Sequence, residues 1–219
     1  MKKKIESLFI SDLHLGARSN NAMKALKVLR EYEYKNLFLL GDIIDIKALS
    51  HNWKWESAEN DVWNFIEKFA EKKEVVYCVG NHERGFFDKA NIKNFLFFDG
   101  YVYKDMLLCH GHKFDENLES NHWPRALINV AYDSCSSFNA KMVSQIKKLI
   151  RRTPGYLKNF RKNAVEEAKK FGFKKVVCGH THQQEHCVIE NIEYINIGDF
   201  KEDATYAIET IDGNIILEG

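Results

Sequence analysis

Apolar residues fall into short continuous runs in the first half of the chain and into turn-separated runs in the second. Lys4–Ser11 has the β-branched and apolar pattern of a strand. Asn20–Tyr34 places Met23, Leu26 and Leu29 at helical spacing, with Asn20 or Asn21 suited to the N-cap. Asn36–Leu40 is predicted to be a buried strand ending at Gly41. Ser57–Lys73 reads as a helix with Val62, Phe65, Ile66 and Phe69 on one face, and Glu74–Val79 as a third strand running into a glycine. This β-α-β-α-β order predicts parallel strands with crossover helices. Phe95–Phe98, Val102–Cys109, Lys174–Cys178, His186–Glu190, Ile192–Ile197, Ala204–Ile211 and Asn214–Leu217 follow one another mostly through short turns such as Asp212-Gly213, which predicts antiparallel pairing. Two packed, mixed sheets accommodate both halves. The stretch from Glu116 to Phe171 reads as helical, broken at Thr153-Pro154-Gly155. It is expected to be an insertion over the sheet edge within a single domain spanning 1–219.

Composition changes this picture little. The 219 residues are 45% hydrophobic and 29% charged with a formal net charge of +1, which argues for a folded globular chain and against binding by bulk electrostatics. Cys78, Cys109, Cys135, Cys178 and Cys187 are odd in number and contain no CxxC pair, so reduced thiols in a cytoplasmic setting are expected. Met1-Lys2-Lys3-Lys4 is followed by an apolar stretch too short and too soon interrupted, by Glu6 and Asp12, for a signal peptide.

The polar residues at the strand ends change it a great deal. They read Asp12-Leu13-His14, Gly41-Asp42-Ile43-Ile44-Asp45, Gly80-Asn81-His82-Glu83, His110-Gly111-His112 and Gly179-His180-Thr181-His182. A single Asp-x-His after a strand is more often a turn than a ligand. Five clusters of one grammar, each an apolar strand followed by Asp, Asn or His, are a different matter. Imidazole, carboxylate and amide oxygen without thiolate suit divalent transition metals and disfavour a structural zinc site. A two-residue step along an extended strand end would return Asp12 and His14 to the same side.

The ordered set Asp-x-His, Gly-Asp-x-x-Asp, Gly-Asn-His-Glu, His-Gly and Gly-His-x-His, running from Ile10 to His182, resembles the calcineurin-like metallophosphoesterase superfamily. The resemblance implies an α/β fold of four layers, two mixed β-sheets sandwiched between helices, with the helical insertion as a lid. It implies two divalent ions, manganese foremost, with iron or zinc accepting the same ligands. Asp12, His14, Asp42 and His182 would hold the first ion, and Asp42, Asn81, His110 and His180 the second. His82 would act on the leaving oxygen as acid or electrostatic stabiliser, while Asp45 and Glu83 would orient the histidines. Hydrolysis by a metal-activated water, without a phosphoenzyme, follows from such a pair.

More distal residues resemble the UDP-2,3-diacylglucosamine pyrophosphohydrolase branch. They are Ser11–Gly16, the Trp53/Trp55 segment, Gly155-Tyr156-Leu157-Lys158, Lys162-Asn163-Ala164-Val165 and Asn191–Phe200 with its Asn196-Ile197-Gly198-Asp199-Phe200. That branch implies a lipid-linked sugar diphosphate substrate, lipid A synthesis and work at the inner face of the membrane. His112 and Phe200 stand where the branch usually carries aspartate and tryptophan. Between Ser134 and Val165 lie eight basic residues and no acidic one: Lys141, Lys147, Lys148, Arg151, Arg152, Lys158, Arg161 and Lys162. Removing them leaves the rest of the chain acidic, so the neutral average conceals a basic segment fit for a phosphate-bearing small molecule or lipid, or for peripheral membrane contact. Its apolar residues, Met142 to Ile150, equally suit an ordinary core-facing helix. Arg84, Lys158, Arg161, Lys162 and Asn163 are the expected substrate contacts, and no obligatory protein partner is implied. A nuclease or nucleotide phosphodiesterase on the same metal site is the alternative. A non-catalytic scaffold fits less well, since it has no chemical need for all seven ligands together with His82.

Overall fold

The computed structural model describes residues 2–17, 20–49, 55–83, 95–119 and 153–219. Six strands form one sheet in the order β13-β12-β2-β4-β5-β6: β2 (Ser7–Ile10), β4 (Asn36–Leu39), β5 (Val75–Cys78), β6 (Phe95–Phe98), β12 (Tyr206–Glu209) and β13 (Ile215–Glu218). β2, β4, β5 and β6 run parallel, and β12 joins β2 antiparallel. Five strands form the second sheet in the order β10-β11-β9-β8-β7: β7 (Gly100–Tyr103), β8 (Met106–Cys109), β9 (Lys175–Cys178), β10 (Gln184–Ile189) and β11 (Ile192–Ile197). A two-residue parallel pair joins β1 (Lys3–Lys4) to β3 (Tyr32–Glu33).

The period-2 alternation of strands sorts the side chains into three cores. Phe9, Phe38, Leu40, Val76 and Cys78 of the first sheet meet Met106, Leu108, Val177, Ile195 and Ile197 of the second. Their neighbours Leu8, Ile10, Leu37, Leu39, Val75 and Tyr77 face the other way, onto Ala25, Leu26 and Leu29 of α1 (Ala22–Glu31) and Val62 and Ile66 of α3 (Ser57–Ala70), with the one-turn α2 (Ile46–Leu49) packed at the margin. Beyond the second sheet, Val176, Cys178 and Tyr194 pack on Phe114 of α4 (His112–Glu119) and on Phe160, Ala164 and Ala168 of α5 (Pro154–Lys170). The result is four layers, helix–sheet–sheet–helix, as the resemblance implies.

The second half differs from the antiparallel expectation. β6 joins the first sheet parallel to β5, and β8, β9 and β11 are parallel neighbours. Only the hairpins β7–β8, β10–β11 and β12–β13 are antiparallel among the consecutive strands described. A short turn fixes the hairpin it closes and leaves the wider strand order open. α1 also begins differently: Asn20 Oδ1 accepts the Ala22 N–H at 3.1 Å, while the Asn21 amide donates to the carbonyls of Phe200, Lys201 and Glu202. Asn21 therefore ties a distant loop to the helix instead of capping it. Glu59 in the first turn of α3 takes the Gly16 N–H and the Asn20 amide, each at 2.6 Å, which anchors the loop after β2. The centre of the expected insertion, 120–152, with Cys135 and five of the eight basic residues, lies outside the described residues, as does Trp53.

Candidate metal centre

The loops that converge here leave the C-terminal ends of β2, β4 and β5 in one sheet and of β8, β9 and β11 in the other, where open sheets present their ligand sites. Close approach is built into them. A Cβ on Gly80 would stand 2.1 Å from Asp42 Oδ1, and one on Gly179 2.1 Å from Ser11 Oγ and 2.5 Å from Asp12 Oδ2. Five of the seven predicted ligands, Asp12, His14, Asp42, His180 and His182, take left-handed backbone with φ between 51° and 71°. Non-glycine residues occupy that region sparingly. Asp12 and His14 thus reach one place through two left-handed residues beyond β2, and the alternation of an extended strand expected for them is not what brings them there.

Ligand atoms cluster within 4.8 Å in three groups: Asp12, His14 and His182; Asp12, Asp42 and His110; and His14, Asp45 and His82. Asp42 Oδ2 lies 3.4 Å from His110 Nε2 and 3.9 Å from both His14 Nε2 and His82 Nε2. His182 Nε2 stands 3.1 Å from Asp12 Oδ1, and His180 Nδ1 is 3.2 Å from His110 Nε2. Asp42 occupies the middle, between a side with Asp12, His14 and His182 and a side with His110 and His180.

Neighbouring acceptors decide which imidazole nitrogen faces the cluster. The Leu40 carbonyl at 2.9 Å takes the Nδ1 proton of His110, and the Asp45 carboxylate at 3.2 Å takes that of His14, so Nε2 of each is turned inward. Ser11 Oγ and the His180 N–H occupy Asp12 Oδ2, at 2.5 and 3.0 Å, which leaves Oδ1 for the centre. Among the described residues, buried His14 Nε2 and Asn81 Oδ1 have no hydrogen-bond partner. Buried polar atoms are rarely left so. Open lone pairs of imidazole, carboxylate and amide oxygen in these loops fit divalent ions.

Electrostatics agree with that fit. Burial works against charge on His110 and His182, but Asp42 and Asp12 beside the first, and Asp12 and Asp199 beside the second, lift both to about 9. Burial outweighs Asp45 at His14 and holds it below its ordinary value. Below about pH 9 the metal-free centre therefore carries two imidazolium groups, and a cation must displace their protons. Binding of manganese at pH 7.5 is expected to release on the order of two protons, read from calorimetry in buffers of different ionisation enthalpy. Affinity should rise with pH and level off above about 9. Release of no protons would show that these histidines do not face the ion.

Other predicted residues take clear places. Asp45 accepts from His14 on Oδ2 and His82 on Oδ1, at 3.2 and 3.1 Å. Burial pushes its carboxyl up, yet these two bonds outweigh it and hold the group far below the usual range. Glu83 supports the loops through their backbone: its oxygens receive the N–H groups of Asp42, Ile44 and Gly80 and the Tyr77 hydroxyl. It locks the Asp42 loop to the next loop, and burial, with Asp42 nearby, raises it to about 7. Of the expected substrate contacts, Asn163 donates to the Phe114 carbonyl at 2.8 Å and Arg161 pairs with Glu185 on β10. Lys158 is exposed, and Lys162 pairs with Glu166 at 3.6 Å; Arg84 lies outside the described residues. His112 is buried at the start of α4, its ring 5.6 Å from His110, and Phe200 is fully buried against Tyr206. Sequence reasoning assigned no role to Ser11, Asp115 or Asp199. Asp199, 3.5 Å from His182 Nδ1, could have been suspected only from its place in Asn196–Phe200.

The profile of the calcineurin-like phosphoesterases matches residues 6–184, which include all seven predicted ligands and His82. The chain belongs to the calcineurin-like phosphoesterase family. With that family it is a phosphoester hydrolase. No curated protein sequence matches it significantly. Similar solved structures include vacuolar protein sorting 29 from Cryptosporidium parvum, 14% identical over 96% of this chain and 88% of that one with a TM-score of 0.51. A novel archaeal phosphodiesterase is also 14% identical, over 97% and 98% of the two chains, with a TM-score of 0.50. At such identity the likeness is one of fold. No described helix is long and apolar enough to cross a membrane.

Proposed function

We propose that this phosphoesterase hydrolyses phosphodiester or diphosphate bonds at a two-ion centre, with Asp12, His14, Asp42 and His182 on one ion and Asp42, Asn81, His110 and His180 on the other. The observation that carries this reading is the position of Asp42 Oδ2 between two sets of inward-turned imidazole nitrogens. Two divalent ions, manganese foremost, supply Lewis acidity toward the phosphoryl oxygens and acidify water near neutral pH. The chain's own residues do the rest. Asp42 ties the two halves together, Asp45 turns His14 inward and the Leu40 carbonyl turns His110. His82, held through Nδ1 by Asp45, has 29% of its side chain exposed against none for His110, so a substrate can meet it. It is suited to hand a proton to the departing oxygen.

The finer reading is a lipid-linked nucleotide diphosphate, UDP-2,3-diacylglucosamine, handled at the cytoplasmic face of the membrane. Support comes from the basic, acid-free run Ser134–Val165 and the Asn196–Phe200 motif, whose Asp199 reaches His182. Manganese-loaded protein should cleave bis(p-nitrophenyl) phosphate and release UMP from UDP-2,3-diacylglucosamine. Cleavage of the diester without UMP release would exclude the lipid substrate, and salt-weakened cleavage of an oligonucleotide would favour a nuclease. Failure on every substrate with manganese, iron and zinc would overturn the hydrolase reading.

A further inference from the structure

The Asp115 carboxylate in α4 stands between an imidazole of the centre and a phenol of α5. Its Oδ2 is 2.5 Å from His180 Nε2, and its Oδ1 accepts the Tyr156 hydroxyl at 2.6 Å. A carboxylate only accepts, so the His180 proton resides on Nε2 and the lone pair on Nδ1, the nitrogen 3.2 Å from His110 Nε2. The ring is also held by packing. Phe160 lies nearly parallel to it, with centroids 6.0 Å apart and planes 19° apart. Tyr156 stacks on Phe160 at 6.2 Å, and Phe114 meets Phe160 edge-on at 5.5 Å. His14 and His182, across the centre, are turned by other carboxylates, Asp45 and Asp199.

We propose that Asp115 and Tyr156 are positioning residues for one ion of the pair: Asp115 fixes the tautomer and angle of His180, and Tyr156 fixes Asp115. The proposal rests on the two-ion reading and adds to it a dependence of the His110/His180 ion, but not of its neighbour, on the helices that flank residues 120–152. In Asp115→Asn the side-chain NH₂ can face His180 Nε2, which moves the proton to Nδ1 and blocks the ion. Tyr156→Phe removes one hydroxyl and keeps the stack on Phe160, so it preserves the fold.

The test is calorimetric titration of the metal-free full chain with manganese, alongside thermal melting of the metal-free forms. Wild type should show two binding steps. Asp115→Asn should weaken one of them by about tenfold or more and leave the other unchanged. Tyr156→Phe should weaken the same step less, and the double variant should be no weaker than Asp115→Asn, because Tyr156 acts through Asp115. Equal loss in both steps, additive losses, or a lower melting temperature with both steps intact would overturn the relay while the two-ion reading stands. A wild-type chain that binds no ion would overturn both.

Discussion

Alanine at Asp42 should reduce turnover of any phosphoester substrate by about a thousandfold or more, the scale set by losing several kcal/mol of cation-assisted stabilisation. Asp42 Oδ2 is within 3.9 Å of His14, His82 and His110, so its removal disturbs both sides of the centre. The fold should survive. Asp42 lies in a loop, and the structure around it is held by other groups, with Glu83 gripping the backbone of residues 42, 44 and 80. Elemental analysis should find the variant depleted of metal. Full turnover in added manganese would show that Asp42 does not bridge.

Glutamine at His82 should give a contrasting result. Turnover should fall about 10²- to 10⁴-fold, the usual share of a general acid. Metal content should stay at the wild-type level, because His82 is not assigned to an ion. The loss should depend on the leaving group: large for an alkoxide or a nucleotide phosphate, small for p-nitrophenolate, which departs without help. If the loss is the same for all leaving groups, His82 does not supply the proton. If metal is lost with it, His82 is a ligand.

Much of this was legible in the residues, for a physical reason. Apolar runs of four to six residues specify the buried strands, and the alternation within them, as in Leu8-Phe9-Ile10, sorts the two faces. The loops are equally readable because five of them repeat one grammar, an apolar strand followed by Asp, Asn or His. What sequence spacing could not supply was contact between distant segments. Asp115 meets His180 across 65 residues, and Glu83 closes on the backbone of Asp42 and Ile44 and on Tyr77. The parallel arrangement of β8, β9 and β11 belongs to the same class, since each strand chooses its neighbour from far along the chain. Arg161 and Asn163 were singled out by the branch resemblance and the basic run, and spacing could not show that they also fasten α5, to Glu185 and to the Phe114 carbonyl.

The left-handed backbone at Asp12, His14, Asp42, His180 and His182 bears on how the protein balances durability against activity. Each such residue costs on the order of 1 kcal/mol that a glycine in its place would not. Among the described residues, five of the nine non-glycine positions with this backbone are proposed ligands, the others being Lys104, Glu190, Asn191 and Ala204. Substitutions that make the metal-free chain sturdier are thus to be found at the positions where they destroy the centre. Glycine at any of these five positions would relieve the backbone and remove a proposed ligand in the same step.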